Sequence, residues 1–277
     1  MTKYTLFAWV GGKDWLWKYI KPYLTKISHE IYIEPFLGAG AIAFHYIKWC
    51  RKHNVRKKFI LSDSNEGLIN VYIQIRDNLD KLISFLRIYD ECIKPTKEVF
   101  SFQRKLYNMT PKSNLQSAAL FLWLIPNSFR GLYRVNKNGQ YNTSFGTPRK
   151  NWFDEKLLQR LHELFQGVDF RICSFSDIQE QGIIYLDPPY ENTFQNYTLN
   201  PPTNADINNF IKRNTDSTIF ISNSCDYVPT ENSKLLLTIP TIWRGPTSKK
   251  RDEYLYICAT LSGVSHAKSR NDSTVKL

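Results

Sequence analysis

The chain has 277 residues, 42% hydrophobic and 14% aromatic, which is too apolar for a disordered tail and long enough for one large domain or a core with one insert. Its 37 lysines and arginines against 25 acids give a net charge of +12, suiting a phosphate-bearing partner. Nucleic acid leads, with a merely soluble basic enzyme as the alternative. No apolar run approaches the roughly 20 residues of a membrane span, so no membrane partner is expected. The N-terminus reaches Gly11 too soon for a secretory leader. Five scattered cysteines (Cys50, Cys92, Cys173, Cys225 and Cys258) argue against a disulfide framework, and a cytoplasmic location is expected.

In chain order, Trp9-Val10-Gly11-Gly12-Lys13 sets a glycine pair before a lysine but lacks the full phosphate loop, so ATP hydrolysis is poorly supported. Ile31-Tyr32-Ile33-Glu34 predicts a strand, the glycine turn Pro35-Phe36-Leu37-Gly38-Ala39-Gly40 follows, and Ala41 to Lys52 predicts a helix. Lys58-Phe59-Ile60-Leu61 predicts a second strand ending at Asp63, with another helix from Gly67 to Ile75. Strand, turn, helix, strand implies a parallel sheet. His45, Cys50 and His53 lack a fourth ligand and read as ordinary helix residues, so no metal is expected.

Residues 78–125 show helical spacing only, in Leu79-Leu82-Ile83-Leu86, Phe100-Phe102-Leu106 and Ala118-Leu120-Phe121-Leu124. Around Lys137-Asn138-Gly139-Gln140 an Asn-Gly turn predicts a hairpin joining Leu132-Tyr133-Arg134-Val135 to Tyr141-Asn142-Thr143. Strands resume at Phe170–Ile172, Ile183–Leu186, Thr218–Ile221, Leu235–Thr238 and Tyr254–Ile257. The expected fold class is α/β: a Rossmann-like sheet with helices on both faces, plus an inserted helical and hairpin unit. The expected divisions are residues 1–77, an insert of 78–165 containing the hairpin 129–147, and 166–277.

Two segments carry chemistry. The Glu34 to Gly40 turn lets backbone amides approach a ligand, and Asp63, some 20 residues on, stands where a carboxylate accepts from ribose hydroxyls; together they favour a nucleoside-bearing cofactor. In Asp187-Pro188-Pro189-Tyr190 the prolines cannot donate, so carbonyls and carboxylate form a rigid row of acceptors at a strand end, with an aromatic beside it. Such a row suits an exocyclic amino group. The plain alternative is a proline-terminated buried strand.

Trp9-x-Gly-Gly-Lys13, Glu34-Pro-Phe-x-Gly-x-Gly40 and Asp187-Pro-Pro-Tyr190, in this order, resemble the Dam-type (D12 class) family of DNA adenine-N6 methyltransferases. The resemblance extends to Leu61-x-Asp63-x-Asn65, the hairpin, Ile221-Ser222-Asn223-Ser224 and the basic run Lys249-Lys250-Arg251. It implies S-adenosyl-L-methionine as cofactor and double-stranded DNA as partner. By that resemblance Trp9 and Lys13 would line the methionine end, with Lys13 on its carboxylate. Glu34 would join the cofactor set, with Phe36, Gly38 and Gly40 shaping the turn. Asp63 would hold the ribose, Phe175 would pack on the cofactor adenine, and Asp187 to Tyr190 would hold the target base. Leu132 and Arg134 would read base edges with Asn136 nearby, Phe129 would wedge into the duplex, and Lys249, Lys250 and Arg251 would touch phosphate.

Arg130 stands where GATC-acting relatives often have Asn, and Ser144 where they usually have Pro, so GATC is a first expectation only. Cytosine-N4 methylation and a non-catalytic DNA-binding module are the rival expectations. A monomer or weak dimer is expected; a restriction–modification role would imply a cognate endonuclease acting on the same site.

Overall fold

Short β-branched and aromatic runs bounded by turn residues make strands rather than helices, because branched side chains pack well on a pleated surface. The computed structural model describes residues 4–7, 9, 11–190, 201–224, 227, 230, 233–242 and 250–258. Its strands are β1 (Ile31–Glu34), β2 (Lys58–Asp63), β3 (Asp169–Ile172), β4 (Ile183–Leu186), β5 (Thr218–Ser224), β6 (Ser233–Ile242) and β7 (Lys250–Cys258). They form one sheet ordered β3-β2-β1-β4-β5-β7-β6. The first five run parallel, and β7 lies antiparallel to both β5 and β6.

The central strands bury both faces, which is why they read as continuous apolar runs. Tyr32, Phe59, Leu61, Ile183, Tyr185 and Phe220 face one core, while Ile33, Ile60, Ile184, Leu186, Ile219 and Ile221 face the other. Helices α1 (Trp17–Leu24), α2 (Ala41–Lys52), α3 (Glu66–Asp77), α4 (Leu79–Cys92), α5 (Lys97–Met109), α6 (Leu115–Asn127) and α7 (Glu155–Phe165) cover the first core. Helix α8 (Asn204–Arg213) closes the second through Ile207, Phe210 and Ile211. Leu82, Phe100 and Leu120, from α4, α5 and α6, belong to the same buried cluster as the sheet. No helix among the described residues is long and apolar enough to cross a membrane.

Several expectations need correction. Phe102 is 65% exposed; α5 instead buries Phe100, Gln103 and Tyr107, the i, i+3, i+7 face. The hairpin forms isolated bridges, Ser128 to Phe145 and Val135 to Tyr141, rather than a regular ladder. Its turn centres on Lys137 and Asn138: Gly139 N donates to Asn136 O at 3.0 Å, and Gly139 takes the left-handed φ of 73°. This is a type I turn followed by a left-handed glycine, one step earlier than an Asn-Gly turn would sit. The last strand begins at Lys250 rather than at the expected Tyr254, so Lys250 and Arg251 lie on β7, and Lys249 lies outside the described residues.

Helices α1, α7 and α8 have no counterpart in the expected elements. The readable signals were caps: Asp154 Oδ1 accepts from Leu157 N at 3.0 Å, and Thr203 with Asp206 makes a capping box.

Candidate active site

The strand order reverses between β1 and β4, and in open α/β sheets the crevice outside the carboxyl ends of such a pair is where ligands bind. Glu34 ends β1, and Asp187 follows β4 directly. A cleft of about 770 Å³ opens there, within the range of small-molecule sites. It brings together Trp9, Lys13, Glu34, Phe36, Gly38 and Asp63, and also Phe175, Asp187 and Pro189.

The glycine turn is latched from three sides. Gly38 N donates to Asp63 Oδ2 at 3.0 Å, Gly38 O accepts from the Tyr72 hydroxyl at 2.7 Å, and Trp9 lies flush against Gly38. A Cβ on Gly38 would come 3.0 Å from Trp9 Cδ1. Gly40 caps α2 in the left-handed region at φ 68°, where a side chain would strike the Phe44 ring. Asp63 Oδ1 also accepts from Asn65 N at 2.9 Å, so this carboxylate binds the turn after β1 to the turn after β2. Burial pushes its pKa up, and the two amides pull it back.

The second group surrounds Asp187. Lys13, only 5% exposed, places Nζ 3.1 Å from Asp187 Oδ1 and donates to Gly11 O at 2.9 Å. Ser222 Oγ and the Tyr190 hydroxyl donate to the same Oδ1 at 3.0 and 3.3 Å. None of the hydrogen bonds from described residues falls on Oδ2. The Tyr190 ring lies 5.1 Å from Lys13 Nζ. Pro188 follows Asp187 in the chain between two groups that line or flank the cleft.

Glu34 is held differently. It is buried, and its Oε2 accepts from the Tyr32 hydroxyl at 2.7 Å. Burial pushes its carboxyl well above the usual carboxylate range; Tyr32 opposes this, and the Asp187 charge adds to it. A raised folded-state pKa means that the folded protein holds this proton longer than the unfolded chain. Stability from Glu34 is therefore complete below about 4.5 and is lost as pH rises toward the folded value. Glu34→Gln should flatten that decline, which thermal melts at pH 5 and pH 8 would measure; an unchanged difference between the two would refute it.

The hairpin borders the cleft through Tyr133, Val135 and Gly139. Tyr133 stacks on Trp9 at 5.8 Å between ring centres and on Tyr141 at 5.3 Å, so one aromatic column runs from the glycine turn into the hairpin. Tyr141 is buried, and Phe145 packs against the core. Phe129, Arg130 and Ser144 cluster exposed at the hairpin base, where Phe129 N donates to Ser144 O at 2.8 Å. The Arg130 guanidinium lies 5.3 Å from the Phe129 ring centre, and Arg130 holds a left-handed φ of 57°. Farther out, Arg134 donates from Nε to Asn142 Oδ1 at 2.9 Å and from Nη2 to Asn142 O at 3.2 Å. Leu132 and Asn136 are half-buried beside it.

Tyr185, Ser222 and Tyr133 were not singled out from the sequence. A tyrosine two residues before a strand-ending acid was the available signal for Tyr185, since i and i+2 share a face.

An open sheet with its acids at the switch point, beside a basic and aromatic hairpin, defines an α/β protein with a cleft at its strand ends. A profile of the D12 class N6 adenine-specific DNA methyltransferases matches residues 9–234, and the chain belongs to that family. It is 31% identical over 211 residues to the type II methyltransferase M.MjaIII of Methanocaldococcus jannaschii, covering 69% of this chain and 72% of that one. It is 32% identical over 197 residues to a DNA adenine methylase of Vibrio cholerae, covering 69% and 67%. Among solved structures, the rRNA methyltransferase aviRa of Streptomyces viridochromogenes aligns over 86% of this chain and 82% of its own, with 10% identity and a TM-score of 0.35.

Proposed function

We propose that this chain methylates N6 of an adenine flipped out of duplex DNA, using S-adenosyl-L-methionine, within a short recognition sequence for which GATC is the working candidate. The observation that carries the reading is Asp187, held at the switch point in the cleft that also contains the latched glycine turn. The residues fit the cofactor. Each Asp63 oxygen keeps a second lone pair for a ribose hydroxyl after accepting its amide. Phe36 and Phe175, 5.1 Å apart, offer apolar faces for an adenine ring. Lys13 and Glu34 supply polar groups in the same cleft, which Trp9 also lines.

When bound, the cofactor supplies an electrophilic methyl group on a sulfonium. The chain's own part is acceptance and orientation. Adenine N6 is a poor nucleophile because its lone pair is conjugated into the ring. Asp187 and the Pro188 carbonyl would accept its two hydrogens, drawing them out of plane and freeing the lone pair. The departing proton becomes acidic only as the N–C bond forms, so Asp187 need not be a strong base. Positioning and electrostatics then supply most of the rate. Flipping brings the base to this buried row, with Tyr190 beside it to replace lost stacking. We assign residues 78–165 to target recognition, with Phe129, Arg130, Leu132, Arg134, Asn136 and Ser144 on the DNA side, and Lys249, Lys250 and Arg251 to phosphate.

Digestion of methylated duplex to nucleosides tests the chemistry: N6-methyladenine is expected, and N4-methylcytosine would refute it. Arg134→Ala tests the reader. An arginine fork on guanine gives about 1–3 kcal/mol of discrimination, so this variant should lose selectivity at one base pair. Lys250→Ala should instead weaken all sequences alike and flatten the salt dependence. Methylation rates on cognate and singly substituted duplexes compare them; a uniform slowing by Arg134→Ala would make it a backbone contact.

A further inference from the structure

Two buried hydroxyls stand behind Asp187. Tyr185 and Ser222 are each about 1% exposed, and their oxygens lie 2.9 Å apart. The ionised carboxylate only accepts, so Ser222 must spend its one proton on Asp187 Oδ1, 3.0 Å away. Its lone pair is then left for the Tyr185 proton. The direction of the chain is fixed: Tyr185 OH to Ser222 Oγ to Asp187 Oδ1.

The sheet register builds this chain. Tyr185 pairs with Phe220 and Leu186 with Ile221, so the next step along the parallel strands sets Asp187 beside Ser222. Tyr185 and Asp187, two residues apart, share a face. On β1 the same pattern, Tyr32 then Glu34, closes directly at 2.7 Å. Aspartate is one methylene shorter than glutamate, and on β4 a serine from the neighbouring strand fills the missing reach.

We propose that Ser222 and Tyr185 are positioning residues for Asp187, fixing the rotation of its carboxylate so that Oδ2 is presented to the cleft. The carboxylate torsion of aspartate is intrinsically broad. The Lys13 ammonium, paired with Oδ1, and the Ser222 hydroxyl, donating to it from another element, remove that freedom. This inference rests on the reading that Asp187 accepts from adenine N6.

The test uses the full chain with Ser222→Ala, Tyr185→Phe, the double variant and Ser222→Thr. Single-turnover methyl transfer at saturating cofactor and DNA should fall on the order of 10- to 100-fold in Ser222→Ala, because misaligned acceptors lose orientation. Tyr185→Phe should lose less. The double variant should match Ser222→Ala within about twofold, since Tyr185 acts on Asp187 only through Ser222. Ser222→Thr should recover most of the rate.

A second readout separates positioning from binding: the affinities for S-adenosylmethionine and for DNA, measured by calorimetry, should stay within about twofold of wild type in Ser222→Ala while the rate falls. A Ser222→Ala rate within twofold of wild type, or affinities that fall as far as the rate, overturns the proposal, as do losses that multiply in the double variant. A Ser222-dependent rate in a protein whose product is not N6-methyladenine leaves the positioning role standing and sinks the functional reading alone.

Discussion

Asp187→Asn is expected to slow methyl transfer to adenine by about 10²–10³-fold, the loss typical of removing one preorganised group aimed at developing charge. Asparagine keeps the shape and one acceptor but brings an amide that can turn its hydrogens toward N6. The nearly buried Lys13 ammonium then loses the Asp187 charge beside it. Both variants break the ion pair, and Asp187→Ala is the harsher one because it also removes the oxygen that accepts from Ser222 and Tyr190. The asparagine variant is therefore the cleaner test: its melting temperature should fall less than that of Asp187→Ala, and its DNA affinity should stay near wild type while the single-turnover rate collapses. Turnover close to wild type would remove Asp187 from the reaction.

Asp63→Ala is expected to lower cofactor affinity by about 10- to 100-fold, corresponding to one or two lost hydrogen bonds at about 1.4 kcal/mol per tenfold. The structure adds a second effect that the ribose role alone would not predict. Gly38 N and Asn65 N both lose their acceptor, so the glycine turn loosens and stability falls as well. Asp63→Asn separates the two contributions, since its one carbonyl oxygen can keep one amide satisfied. Calorimetry with S-adenosylmethionine, set beside DNA binding, decides: unchanged cofactor affinity in Asp63→Ala would end its assignment to the ribose.

What the sequence made legible was local. The β1 turn and the run before Asp187 carry their structure in consecutive residues, and glycines or prolines mark their ends. The helical stretch from α4 to α6 was legible as helix because apolar spacing is a one-helix property, though the spacing misplaced Phe102 on the buried face. Contacts set by topology were hidden. Lys13, in the loop before α1, meets Asp187, at the end of β4, only through the folded topology, and nothing near either residue announces the other. The same holds for Ser222, whose partner is defined by strand register. Tyr133 was hidden for another reason: in a hairpin without a regular ladder, alternation does not say which side chain turns inward.

Position 130 has a consequence for how this protein can change. A left-handed backbone costs most residues about 1–2 kcal/mol, while glycine adopts it freely and asparagine readily. The hairpin base therefore sieves its own variants. Asparagine and glycine pass easily, and β-branched residues are barred whatever they would offer to DNA. Arginine sits there at a standing conformational disadvantage, stacked beside Phe129. A lineage that drifts at this position has few side chains to sample. Directed evolution of recognition would then do better to diversify Ser144, whose carbonyl accepts from Phe129 N and where the backbone imposes no left-handed turn.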